Sequence, residues 1–127
     1  MLASYTCTPL VRIPVEQLKP GAKIKGTTVA ELGNRNRPID MVVYQKDGKD
    51  YCLMANSSRG LMKVELSEVD SVEPINKRIS DKAGLKYQTL ASYKNSVQQL
   101  SRLDKENVLM LVQDAKGGVS LETIALP

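Results

Sequence analysis

Two short polar stretches contain the side chains best suited to binding chemistry. Residues 34–37 read Asn-Arg-Asn-Arg, and residues 56–60 read Asn-Ser-Ser-Arg-Gly. An arginine beside small hydroxyl groups can hold an anion, because guanidinium and hydroxyl groups donate hydrogen bonds to its oxygens. The candidate ligand-binding residues are therefore Arg37, Ser57, Ser58 and Arg59. The alternative is that both stretches are ordinary polar connections, the second of them a turn closed by its glycine.

The absence of histidine excludes several kinds of catalysis within this chain. Ser-His-Asp and Cys-His nucleophiles need an imidazole as general base, and a His-ligated zinc site needs the same side chain. Cys7 and Cys52 are far apart and form no Cys-x-x-Cys pair. We expect them to be structural. They are either one disulfide, which favours a periplasmic or extracellular location, or two buried thiols if the protein is not exported.

The composition is that of a globular protein. Hydrophobic residues make up 42% and charged residues 25% of the 127 residues, which fits a single domain over residues 1–127. No apolar run approaches the roughly 18 residues that a membrane-spanning helix needs. The net charge is +4, but Lys and Arg are interleaved with Asp and Glu. Without a basic stripe and stacking aromatic residues, nucleic acid is not the expected partner.

Alternation of apolar and polar residues predicts β-strands along most of the chain, and hence an all-β fold. The clearest region is a three-stranded meander over residues 38–66, in which Asp47-Gly48 marks a tight hairpin turn. Its second strand, residues 51–55, is nearly all apolar, which predicts burial on both faces. Other strands are predicted at 10–15, 24–32, 69–75, 108–112 and 119–124. Residues 87–93 fit a weak strand or a short helix, and residues 95–103 fit a helix or an exposed strand.

Two units of this sequence resemble each other. Residues 51–66 and 108–124 each contain an apolar strand, a glycine-containing turn and an alternating strand. Their separation is somewhat above the roughly 40–50 residues of a common propeller blade. We interpret these antiparallel meander units as two to three β-propeller blades, with a β-sandwich or open barrel as the alternative. A propeller ring needs at least about four blades, so we expect association with partner chains or with a second copy.

One stretch also resembles a known family. Residues 37–44, the Asp47-Gly48 turn and the following Tyr-Cys-Leu-Met-Ala-Asn of residues 51–56 resemble a blade of the secreted six-bladed propellers of the paraoxonase and lactonase group. In such families an Asn at the end of the second strand can point to a calcium ion on the ring axis. The resemblance therefore implies Asn56 as a calcium ligand, with Asp40 as a second candidate. The catalytic histidine of that family has no counterpart here.

Two functions follow from these observations. The favoured one is a structural or binding module that forms part of a β-propeller assembly. The alternative, which depends on the family resemblance, is a piece of a calcium-dependent hydrolase of the lactonase or esterase type.

Overall fold

The computed structural model describes residues 1–7, 9–94 and 96–127, apart from the side chain of Ala91. Within them the chain forms eleven β-strands and two short 3-10 turns, at Val15–Gln17 and Ala91–Tyr93. The prediction of an all-β fold is confirmed. The strands are β1 Leu2–Ser4, β2 Pro9–Arg12, β3 Thr27–Leu32, β4 Pro38–Lys46, β5 Lys49–Asn56, β6 Gly60–Glu65, β7 Lys82–Gly84, β8 Tyr87–Leu90, β9 Val97–Arg102, β10 Asn107–Gln113 and β11 Val119–Ala125.

The strands form three antiparallel sheets. The first sheet has the order β1-β2-β3-β7, the middle sheet β4-β5-β6-β8 and the third sheet β9-β10-β11. Each sheet contains three strands that are consecutive in the chain, so each is built around a meander. The predicted hairpin turn joins β4 to β5, and Asp47 and Gly48 both have positive φ, +51° and +74°. This is the backbone that a two-residue type I′ turn requires.

The middle sheet lies between the other two, and its strand β5 is buried on both faces. Along β5, Cys52 and Met54 enter a cluster shared with the first sheet, whereas Leu53 and Ala55 enter a cluster shared with the third sheet. Alternate residues of a strand point to opposite faces, and here both faces are covered. The burial predicted from the apolar run of residues 51–55 is confirmed.

Two apolar clusters therefore hold the three layers together. The cluster between the first and middle sheets contains the buried residues Leu10, Val29, Ala30, Leu32, Cys52, Met54, Met62, Val64, Leu66 and Leu85. The cluster between the middle and third sheets contains Tyr44, Leu53, Ala55, Leu61, Val97, Leu100, Val108, Met110, Val112 and Leu126. Each fully buried aliphatic side chain contributes about 1.5–3 kcal/mol by leaving water.

A strand exchange connects the first and middle sheets. The chain leaves the middle sheet after β6, adds β7 to the first sheet, and returns to the middle sheet as β8. Gly84 ends β7 with φ of +74°, and a Cβ there would lie 2.1 Å from the carbonyl oxygen of Val29. The next residue, Leu85, donates its N–H to the same oxygen at 3.0 Å. Only glycine allows the two backbones to approach this closely.

Three local predictions have different outcomes in the structure. The strand predicted at residues 69–75 is wrong, because this segment forms turns with local bonds such as Val72 N to the Glu68 oxygen, 2.8 Å. Of the two alternatives for residues 95–103, the strand is the one observed, as β9; Asn95 lies outside the described residues. Residues 87–93 contain both predicted forms, since β8 is followed by a 3-10 turn.

Candidate functional site

The two polar stretches meet at one end of the middle sheet. Arg37 donates its N–H to the Ser57 hydroxyl at 2.9 Å, and the N–H of Ser57 donates to the Arg37 carbonyl oxygen, also at 2.9 Å. We call residues 33–37 together with residues 56–59 the loop cluster. The structure thus brings together the four residues predicted to bind a ligand, although they come from two separate connections.

A buried pair of asparagines forms the centre of the loop cluster. The Asn56 side-chain amide donates to the Asn36 side-chain oxygen at 2.6 Å, and the Asn36 amide donates to the Gly33 carbonyl oxygen at 2.5 Å. Both asparagines are only 3% exposed. Buried polar groups need such partners, because a buried donor or acceptor without a hydrogen bond costs about 1–3 kcal/mol of stability. The role of Asn36 was not predicted, since its partner lies in a different connection of the chain.

The Asn56 oxygen, the predicted calcium ligand, is already used by the loop. It accepts the N–H of Ser58 at 3.1 Å, the N–H of Arg59 at 3.2 Å and the Ser58 hydroxyl at 3.5 Å. This is the pattern by which an asparagine closes a turn with its own side chain. A calcium ion on this oxygen would have to displace those donors.

The second metal candidate, Asp40, points to the other face of the middle sheet. Asp40 pairs with Ala55 in the ladder, and Asn56 is the next residue of that strand, so the two candidates face opposite ways. The Asp40 carboxylate accepts the N–H of Met41 at 2.8 Å and, across the interface, the N–H of Leu100 in β9 at 2.9 Å. The structure therefore does not bring Asp40 and Asn56 together.

No alternative metal cluster replaces them in the part of the chain that the structure describes. No group of three or more His, Cys, Asp or Glu side chains is placed there to hold an ion. Calcium takes six to eight oxygen ligands, so the two predicted oxygens alone cannot form its site.

Arg59 is held in place within the loop cluster. Its guanidinium donates to the Asn34 carbonyl oxygen at 3.3 Å and to the Ser58 hydroxyl at 3.4 Å. Gly33 makes room for it, because a Cβ at that glycine would lie 2.5 Å from a guanidinium nitrogen. Arg37, in contrast, is exposed. Of the four predicted ligand-binding residues, Arg37 is exposed and the other three are half-buried.

The two cysteines are not paired. The alternative prediction of two buried thiols is wrong for Cys7, which is exposed, and confirmed for Cys52, which is fully buried in the first apolar cluster. Burial raises the pKa of the Cys52 thiol to about 12, which keeps it protonated and unreactive at neutral pH. The disulfide on which the periplasmic or extracellular expectation depended is absent from the structure.

The third sheet presents a second candidate surface, which the sequence analysis did not identify. Along β10, Val108, Met110 and Val112 are buried against the middle sheet, so Leu109 and Leu111 point the other way. The ladder aligns Leu111 with Leu121 of β11 and with Gln99 of β9. By this register the outer face of the third sheet consists of Gln99, Ser101, Asn107, Leu109, Leu111, Gln113, Val119, Leu121, Thr123 and Ala125.

The outer face is apolar at its centre and exposed. Leu121 is 68% exposed and Val119 is 58% exposed, while Leu109 and Leu111 are half-buried. None of the residues of this face is charged. Charged side chains are found instead in the connections at the two ends of the sheet, where Asp104, Lys105, Glu106, Asp114 and Lys116 are exposed.

Comparison with known proteins finds no relative of this chain. No family model, no curated protein and no solved structure matches this chain. No helix among the described residues is long and apolar enough to cross a bilayer.

Proposed function

We propose that this chain is a structural and binding module that contributes the outer face of its third sheet to a protein assembly. The observation that supports this most directly is the sequence of β10. Residues 108–112 are apolar without interruption, as residues 51–55 are in β5. A continuous apolar run is typical of a strand covered on both faces. Among the described residues, both faces of β5 are covered by other strands, whereas only one face of β10 is covered.

The chemistry of the outer face supports the same proposal. One residue in four of this chain is charged, so a strand face that remains in water is expected to contain several charges. The centres of protein interfaces are depleted in charge and surrounded by a polar rim. The outer face has this arrangement, with Leu109, Leu111 and Leu121 at its centre and the charged connections at its ends.

The propeller interpretation gives the assembly a specific form. Three meander-based sheets packed face to face in chain order are what consecutive blades would be, and a further blade would pack on the outer face of the third sheet. The exchange of β7 into the first sheet departs from the simple meander that was predicted for each blade. The partner that fits the outer face is another apolar sheet face, and we propose that a second copy of this chain supplies it.

The proposal is tested by a polar substitution at the centre of the outer face. Leu111→Gln removes apolar area without touching either core cluster, so we expect association to weaken about tenfold to a hundredfold, the equivalent of the roughly 1.5–3 kcal/mol of one buried leucine. Sedimentation over a wide concentration range measures this. Leu18→Gln is the matched control, since Leu18 is 45% exposed and lies outside the sheets. Equal association constants for both variants and the unaltered chain would contradict the proposal.

A further inference from the structure

The two edges of the third sheet differ. The edge formed by β9 lies against β4, and Asp40 of β4 accepts the N–H of Leu100 there. The edge formed by β11 has no strand beside it among the described residues. It is seven residues long, it contains no proline or lysine, and its one charge is Glu122. Natural sheets usually protect such edges with charges, prolines or a covering segment, because open edges pair with other strands.

We propose that β11 pairs antiparallel with β11 of a second copy of this chain, about a twofold axis at Leu121. This inference rests on the proposed function, because it names the first partner in the assembly. An axis at Glu122 would pair all seven residues, but it would place two Glu122 carboxylates directly opposite each other, which destabilises a sheet. Moving the axis by one residue to Leu121 keeps five residues of each strand paired and separates the two charges.

The Leu121 register is self-complementary along its length. Leu121 meets its own copy, Val119 meets Thr123, and Ser120 meets Glu122, so a hydroxyl faces each carboxylate.

Pairing of the two edges also enlarges the outer face. Three strands spaced about 4.8 Å apart, each about 20 Å long, give the outer face a projected area of only about 300 Å². A stable interface covers about 800 Å² per partner. Edge pairing joins two third sheets into one six-stranded sheet and doubles the charge-free face. The dimer therefore presents a docking surface much closer to the size that a stable assembly needs.

Opposite charges at Ser120 test the register. Ser120 is exposed and lies on the face opposite Leu121, so changing it leaves the outer face intact. Ser120→Glu places one glutamate opposite each Glu122, which gives two like-charged pairs per dimer. We expect the dimer dissociation constant to rise about 2- to 30-fold; Ser120→Lys should lower it by a similar factor. Sedimentation at low salt measures both. Equal dissociation constants, or changes in the same direction, would overturn the inference.

Cysteine cross-linking tests the position of the axis. In a Cys7→Ser background, Leu121→Cys places two cysteines opposite each other across the axis. Their α-carbons would lie about 5 Å apart, within the range that a disulfide spans. Val119→Cys is the matched control, because the two copies of residue 119 are displaced by about 14 Å along the strands. We expect rapid oxidation to a covalent dimer with Leu121→Cys alone. Cross-linking of both variants at similar rates, or of neither, would overturn the inference.

The failure of one proposal is separable from the failure of the other. Leu111→Gln acts on the outer face, and the Ser120 variants act on the edge. Leu111→Gln could weaken association while the Ser120 variants leave the dissociation constant unchanged and the two cysteine variants cross-link alike. In that case the proposed function stands and the twofold pairing is wrong. If only the edge variants act, the pairing stands and the docking role of the outer face is wrong.

Discussion

The middle and third sheets contain strands of the same sequence type in different surroundings. In β5 both sets of alternate residues are buried, one against the first sheet and one against the third. In β10 one set is buried and the other, Leu109 and Leu111, faces outward beside the exposed Leu121. The same kind of apolar run is thus covered on two faces in β5 and on one face in β10, and this contrast is the basis of the proposed interface.

The largest expected effect is on the free energy of unfolding, and it distinguishes β5 from β10. Leu53→Ala removes a fully buried side chain from β5, and we expect the free energy of unfolding to fall by about 2–5 kcal/mol. Leu111→Ala, on the outer face of β10, should cost about 1 kcal/mol or less in the dissociated chain, because little apolar area is lost from a core. Denaturant unfolding at low concentration measures both. Equal losses would remove the contrast between the sheets.

A smaller effect concerns the protected edge. Asp40→Ala removes the acceptor of the Leu100 N–H, and leaving that group without a partner should cost about 1–3 kcal/mol of stability. Asp40→Asn keeps a side-chain oxygen in reach and serves as the matched control, with a smaller loss expected. Thermal unfolding of the two variants measures the difference. Identical melting temperatures for Asp40→Ala and the unaltered chain would mean that the contact does not secure this edge.

The smallest expected effect is that of calcium. Because the Asn56 oxygen is already bonded within its loop and Asp40 faces the other way, we expect the melting temperature in millimolar calcium to equal that in a chelator. The measurement is thermal unfolding under both conditions, with magnesium as the ionic control. A rise specific to calcium that is lost in Asn56→Ala would restore the calcium-dependent alternative.

The sequence predicted the parts of the fold that local patterns determine. The run of residues 51–55 identified a strand buried on both faces, and Asp47-Gly48 identified the hairpin turn, because each signal lies within a few residues. Residues 69–75 were mistaken for a strand. Val69 and Val72 both pack on the first cluster, but they are three residues apart and lie in turns, and the N–H of Ile75 bonds to the Thr28 carbonyl oxygen.

The contacts of the candidate site depended on pairs distant in the sequence. Asn56 bonds to Asn36, 20 residues away, and Asp40 bonds to Leu100, 60 residues away. No local pattern indicates such partners. The exchange of β7 into the first sheet was likewise not predicted, because β7 is three residues long and Gly84 gives no sign of which strand it approaches. The outer face could have been found, since the runs at residues 51–55 and 108–112 are alike.

We propose that the outer face of the third sheet is an interface. It is tested most directly by the mass of the species in solution, measured from dilute to concentrated protein, for the unaltered chain and for Leu111→Gln. We predict that the unaltered chain associates as concentration rises. Leu111→Gln should reach the same degree of association only at a concentration about ten times higher or more. A chain that remains monomeric throughout, with Leu111→Gln indistinguishable from it, would contradict the claim.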